Sequence, residues 1–268
     1  MPVSTGRSAA EEEETMTHGV LSTSPPSVDV LGVPVTAHTE QTLVAQVLEM
    51  ARTEGVDVAV GVNASVCTMA RRDPAFRDLV STSHTYADGQ SVVWAGRLLG
   101  VHVPERLATT DVALPILRDA AESSVPVFFL GAAPGVAETA ATAMREKFPG
   151  LDLRTRHGYF RDEEVQDVLE EIRAHRTGIL FVGMGDPAQQ LWVDAHRDQL
   201  PPAVLTCGGL FDWLSGTNRR APRWMISAGL EWLWRLGLEP RRLWRRYVIG
   251  NSEFIAGVLM QRVRRGFG

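Results

Sequence analysis

The 268-residue chain has only two cysteines, Cys67 and Cys207, each in an apolar context and without metal-ligand spacing. This excludes a disulfide framework and a thiolate metal centre, and implies structural thiols in a reducing, cytoplasmic setting. Long apolar runs are missing too. The stretch from Val125 to Ala133 is among the longest, far short of the ~20 residues that cross a bilayer. The N-terminus has neither a basic start nor an apolar block, and its four glutamates Glu11 to Glu14 followed by Ser, Thr and Pro read as a disordered acidic leader over 1–28. No GxxxxGK[ST] or GxGxxG sequence occurs, which disfavours a P-loop phosphotransferase and a standard dinucleotide fold, and there is no Asp-x-Asp triplet.

From Arg219 to the C-terminus both lysine and aspartate are absent. Eleven Arg face three Glu (Glu231, Glu239, Glu253), a charge of +8 on a chain whose total is -5, so the remainder carries -13. Such asymmetry suggests a basic segment that docks on a phosphate-rich surface while an acidic body stays in solution. Arginine grips phosphate oxygens bidentately and stacks on indole, which lysine cannot do. Five of the seven tryptophans lie here or at its edge: Trp213, Trp224, Trp232, Trp234 and Trp244. Indole favours the lipid headgroup zone, so the pattern fits an interfacial amphipathic element on an anionic membrane, with Trp232 and Trp244 as docking residues. The plainer reading is that these indoles fill a core between short helices and the arginines form a solvated face; both can hold for different residues.

Between these ends, short apolar runs alternate with amphipathic stretches, the mark of a mostly parallel sheet covered by helices. A core over 29–216 and a helical appendage over 217–268 are expected. Asp57 to Val62 reads as a strand delivering Asn63 at its exit, and Asp73-Pro74 opens a helix to about Val80. Tyr86 to Gln90 leads into a helix over Ser91 to Leu99, placing the Asp88 carboxylate at a helix start, most often a turn or capping role. Val125 to Leu130 is a strand followed by a glycine loop from Gly131 and a helix to about Phe148. Ile179 to Val182 ends in Gly183-Met184-Gly185, with Asp186 a natural N-cap and Pro187 a first-turn residue of a helix to about Arg197. Ala203 to Thr206 runs into Gly208-Gly209. Glycine loops at one sheet edge form a crevice of exposed N–H groups suited to a nucleotide diphosphate, although such glycines often serve only turns.

The motifs together resemble the WecG/TagA/CpsF family of glycosyltransferases over about Asp29 to Val258. They are Asn63, Ala87-Asp88-Gly89 with Val93-Trp94, Glu105-Arg106 with Thr110-Asp111, Gly131 with Pro134-Gly135, and His157-Gly158-Tyr159-Phe160. Val182 to Gly185 with Pro187 and Gln189, Gly208 to Asp212, Arg220-Ala221-Pro222, Gly229 to Trp232, Arg235-Leu236, Glu239-Pro240 and Arg245 to Tyr247 follow in family order. The resemblance implies a Rossmann-like α/β core with a C-terminal helical membrane-docking appendage. The implied enzyme sits peripherally on the inner face of the cell membrane. It transfers a sugar (of N-acetylmannosamine type, hexose or uronic acid) from a UDP-sugar to a polyprenyl-diphosphate-linked acceptor, with inversion and without a required metal or cofactor. The products belong to teichoic acid, exopolysaccharide or other surface polysaccharide assembly, and homo-oligomerisation is left open.

By that resemblance Asp88 is the general base. Asn63, Gln189, Thr110, Asp111, Gly131, Gly185, Gly208 and Gly209 bind substrate, and Arg235, Arg242 and Arg245 stabilise the departing diphosphate where a metal would otherwise act. Without it, Asn63 and Gln189 read as turn-capping amides. The chain departs from the family pattern at Ala188 and Gln190, where Lys and Glu are usual, at Gly61, where Thr is common two places before the Asn, and at Thr109, where Gly is common. The missing Lys disfavours a uronic acid donor. A second reading is a catalytically degenerate membrane-associated scaffold that binds nucleotide-sugar or lipid carrier, against which the retained Asp88, Asn63, Gln189 and arginines argue. A nucleic-acid partner is opposed by the acidic body.

Overall fold

The computed structural model describes residues 25–217, 221–222, 224–225, 231–238, 240–244 and 249–266. Eight strands form one sheet: β1 (Ser27–Val30), β2 (Val33–Thr36), β3 (Asp57–Val62), β4 (His84–Ala87), β5 (Val127–Gly131), β6 (Leu153–Arg156), β7 (Ile179–Gly183) and β8 (Ala203–Thr206). Their spatial order is β1-β2-β4-β3-β8-β7-β5-β6. Every neighbouring pair is parallel except the β1-β2 hairpin, whose turn residues Leu31 and Gly32 both take positive φ (58° and 87°), as the twist of a two-residue hairpin demands.

The inner strands are apolar on both sides, so each feeds two cores. Phe128, Leu130, Leu180, Val182 and Val204 point into one layer, covered by α2 (Ala64–Arg72), α3 (Pro74–Ser81), α4 (Gln90–Leu98), α7 (Val165–Ala174) and α8 (Ala188–Ala195). Their alternates Val127, Phe129, Ile179, Phe181 and Leu205 point into the other, covered by α1 (Glu40–Met50), α5 (Thr109–Glu122), α6 (Val136–Lys147) and α9 (Leu210–Leu214). A strand period of two thus builds a three-layer α/β/α sandwich.

β3, α3, β8 and the start of α6 fall where the sequence puts them, and β5 begins two residues and ends one residue later than its apolar run suggests. Asp186 is a correction. It is not an N-cap; Pro187 holds that position after a cis Asp186-Pro187 bond, and α8 ends at Ala195. The Asp186 carboxylate instead accepts from the amides of Gln189 (2.8 Å) and Gln190 (2.7 Å), which outcompete the backbone for it.

Among the described residues that follow are the helices α10 (Glu231–Leu238), α11 (Pro240–Trp244) and α12 (Gly250–Gly266). α12 returns to the sandwich and packs on α2, burying Phe254 and Val258 in the first core layer. Gln261 ties it to the hairpin, accepting from Leu31 N–H (3.0 Å) and donating to the Asp29 carbonyl (2.9 Å). Among the described residues no helix is long and apolar enough to cross a membrane.

Candidate active site

Neighbouring parallel strands whose following helices go to opposite faces leave a crevice at their carboxyl ends. Here β3 leads into α2 on one face and its neighbour β8 into α9 on the other. The crevice so opened is a cavity of about 780 Å³. Asn63 and Asp88 reach it from β3 and β4, Gly185 and Gln189 from the end of β7, and Gly208 and Gly209 from the end of β8. Thr109 and Thr110 enter from above, because the chain must cross the sheet edge between α4 and α5; the Leu107 N–H donates to the Ala87 carbonyl (2.8 Å) on the way.

Asp88 is fixed at both ends of its residue. The N–H groups of Asp88 and Gly89 donate to the Val62 carbonyl (3.0 and 3.1 Å), which holds the β4 exit against β3. Its Oδ1 accepts from the Thr109 N–H (2.9 Å) and the Thr109 hydroxyl (3.2 Å), while Oδ2 accepts from Asn63 Nδ2 (3.3 Å). A carboxylate has about four acceptor sites. Oδ1 is thus filled, whereas Oδ2 keeps acceptor capacity on a residue that lines the cavity. Asn63 does two jobs, since its Oδ1 also caps α2 through Ser65 N–H (3.0 Å) and Val66 N–H (3.2 Å). The capping reading holds, and the same side chain lines the cavity beside Asp88.

Gln189 is buried, and its side chain bridges two loops: Oε1 accepts from Gly208 N–H (3.0 Å) and Nε2 donates to Asp186. Thr110 Oγ1 is buried at the cavity wall with no hydrogen-bond partner among the described residues. Asp111 and Gly131 are not among the lining residues. Asp111 accepts from Arg106 (3.3 Å). Gly131 lies against Gly183, where an added Cβ would sit 2.3 Å from the Gly183 carbonyl oxygen, so close strand packing demands glycine there.

Of the tail residues, Trp232 lines the cavity and Trp244 lies exposed on α11. The side chains of Arg235 and Arg242 and the whole of Arg245 lie outside the described residues. Arg106 is the lining arginine among the described residues. Sequence reasoning kept it only as part of a motif. It donates to Glu231 at 2.8 Å in a nearly buried ion pair and so ties the approach to α5 to the first turn of α10. The signal available was the pairing of an isolated Arg with an isolated Glu in an Arg-rich tail, too weak alone. Cys207 also lines the cavity, its thiol pushed well up by burial and unsuited to act as a thiolate nucleophile. Among the described residues no group of three or more His, Cys, Asp or Glu could hold a metal ion.

One side of the cavity is apolar. Trp94 and Leu98 of α4 face it, and so do Leu238 of α10 and Ile255 and Leu259 of α12, all substantially exposed. A polar floor with a fixed carboxylate and a greasy, partly open wall suits a ligand that is polar at one end and hydrocarbon at the other.

Comparison with known proteins agrees with this geometry. A family model described as the glycosyl transferase WecG/TagA/CpsF family matches residues 28–267. An N-acetylglucosaminyldiphosphoundecaprenol N-acetyl-beta-D-mannosaminyltransferase of Bacillus spizizenii is 31% identical over 203 residues, covering 75% of this chain and 77% of that protein. A Staphylococcus aureus (strain NCTC 8325) protein of the same name is 28% identical over 226 residues, 81% of this chain and 87% of its own length.

Proposed function

The chain belongs to the WecG/TagA/CpsF family of glycosyltransferases, and from that premise we propose that it transfers an N-acetylhexosamine from a UDP-sugar to a sugar diphosphate carried on a polyprenyl chain, with inversion. The observation that carries the reading is Asp88, a carboxylate locked at Oδ1, open at Oδ2 and lining a cavity with one apolar wall. The relatives' names supply the specific candidates: N-acetylmannosamine as the transferred sugar and N-acetylglucosaminyldiphosphoundecaprenol as the acceptor.

The chemistry is one displacement. The acceptor hydroxyl gives its proton to Asp88 Oδ2 while its oxygen bonds to the anomeric carbon; the bond from that carbon to the diphosphate oxygen breaks on the opposite face and its electron pair leaves with UDP. Charge growing on the diphosphate requires cations or aligned N–H groups. Arg106 and the Gly209 N–H supply these, joined by Arg235, Arg242 and Arg245 in this reading, with no metal taking part. Thr110 Oγ1, without a partner among the described residues, offers a hydrogen bond to a sugar hydroxyl or phosphate oxygen. The hydrocarbon chain leaves along Trp94, Leu98, Ile255 and Leu259 toward the membrane, on which the Trp- and Arg-rich tail rests peripherally. The product enters surface polysaccharide or teichoic acid assembly.

Purified protein incubated with UDP-N-acetylmannosamine and an N-acetylglucosaminyl diphosphate on a short prenyl chain should release UDP and yield a β-linked disaccharide lipid. Failure of transfer with this pair and with other UDP-N-acetylhexosamines overturns the assignment.

A further inference from the structure

A buried polar chain runs beneath Asp88. The Tyr86 hydroxyl, fully buried on β4, lies 2.8 Å from Thr109 Oγ1, which lies 3.2 Å from Asp88 Oδ1. Proton counting fixes the direction. An ionised carboxylate only accepts, so Thr109 spends its single hydroxyl proton on Asp88, and the Tyr86 hydroxyl must donate to Thr109 Oγ1. Burial and the nearby Asp88 charge push the Tyr86 phenol up, keeping it a donor throughout the working pH range. The space for this chain exists because residue 61 has no side chain. A Cβ at Gly61 would sit 2.9 Å from Asp88 Cβ and 3.1 Å from both Thr109 Oγ1 and the Tyr86 hydroxyl oxygen, touching all three members.

We propose that Thr109 is a positioning residue for Asp88: the hydroxyl that holds Oδ1 is delivered from the start of α5. The consequence for the reaction is orientation. With Oδ1 held by both the N–H and the hydroxyl of Thr109, the carboxylate cannot rotate, and Oδ2 stays turned to the cavity. A single hydrogen bond to a charged group carries roughly a tenfold effect or more, so its loss with the backbone bond retained should lower turnover by about tenfold.

This rests on the transfer reaction proposed above, and the test separates the two. Thr109→Val and Thr109→Ser are assayed with UDP-N-acetylmannosamine and the short-prenyl acceptor, and crystal structures of wild type and the Val variant are compared. Thr109→Val should lose about tenfold in kcat with KM for both substrates within about twofold, and Ser should restore it. In an Asp88→Asn background Thr109→Val should cost nothing further. The crystal structure of Thr109→Val should show the Asp88 carboxylate turned from its wild-type position. Unchanged kcat in Thr109→Val or additive losses with Asp88→Asn overturns the proposal. If wild type transfers nothing, the substrate reading fails, and the Asp88 position in the Val crystal alone decides this one.

Discussion

Replacing Arg106 by Met should separate two things that this residue does. Its guanidinium pairs with Glu231 at 2.8 Å, the two side chains only 15% and 8% exposed, and it reaches Asp111 at 3.3 Å. Removing the cation takes from the buried Glu231 carboxylate its Arg106 partner at 2.8 Å, a loss in the range of about 3 kcal/mol. Met keeps most of the apolar stem, so little of that loss comes from packing. Replacing both residues, Arg106→Met with Glu231→Met, removes the stranded charge and should bring stability back to within about 1 kcal/mol of wild type, because Asp111 is exposed enough to remain solvated. Transfer should not return with it. If Arg106 stabilises the departing diphosphate, both variants should lose about 10² to 10³ in kcat, the cost of one well-aimed donor. Urea unfolding followed by tryptophan fluorescence measures the first effect and UDP release the second. A double variant as unstable as the single one refutes the stranded-charge argument; a stable double variant with wild-type turnover refutes the role at the diphosphate.

Other outcomes follow from the same geometry. Gln189→Leu leaves Gly208 N–H and the Asp186 carboxylate each short of a partner, and should destabilise by roughly 1–3 kcal/mol and lower transfer; melting and turnover indistinguishable from wild type would remove the bridge. Transfer should survive a chelator, and activity lost in EDTA and restored by Mn²⁺ or Mg²⁺ would show a cation at the leaving group. Trp232→Ala with Trp244→Ala should weaken co-sedimentation with anionic vesicles more than it lowers transfer to the short-prenyl acceptor; undiminished vesicle binding would take the two indoles out of docking.

Much of this was legible in the residues. Strands β3, β7 and β8 announce themselves because a two-sided core leaves runs such as Asp57 to Val62 and Ile179 to Val182 without polar alternates on either face. Asp73-Pro74 is read correctly because cap and first-turn proline are local devices. Asp186-Pro187 looks the same and is not, since the two amides that claim its carboxylate lie within the following turn and win on geometry, which a dipeptide cannot display. The site residues divide likewise. Asp88 and Asn63 stand at strand exits and meet because β3 and β4 pair, whereas the Arg106 pair with Glu231 spans 125 positions and depends on where α10 settles. By resemblance Gly131 binds substrate as Gly208 does, yet only the latter lines the cavity, because β5 lies two strands away from the β3-β8 crevice. The basic composition of the tail also concealed the part of α12 that is core: Phe254 and Val258 stand among exposed arginines and apolar residues and were visible only in the packed helix.

The central claim is that Asp88 Oδ2 takes the acceptor proton in a single inverting displacement, and Asp88→Asn tests it most directly. The amide oxygen can still accept from Thr109, but the amide nitrogen then faces Asn63 Nδ2, itself unable to flip because its oxygen caps α2. Melting temperature should therefore fall modestly and UDP binding persist, while turnover of UDP-N-acetylmannosamine with the short-prenyl N-acetylglucosaminyl diphosphate falls by about 10² to 10⁴. Turnover by the folded Asn variant within about twofold of wild type would contradict the account.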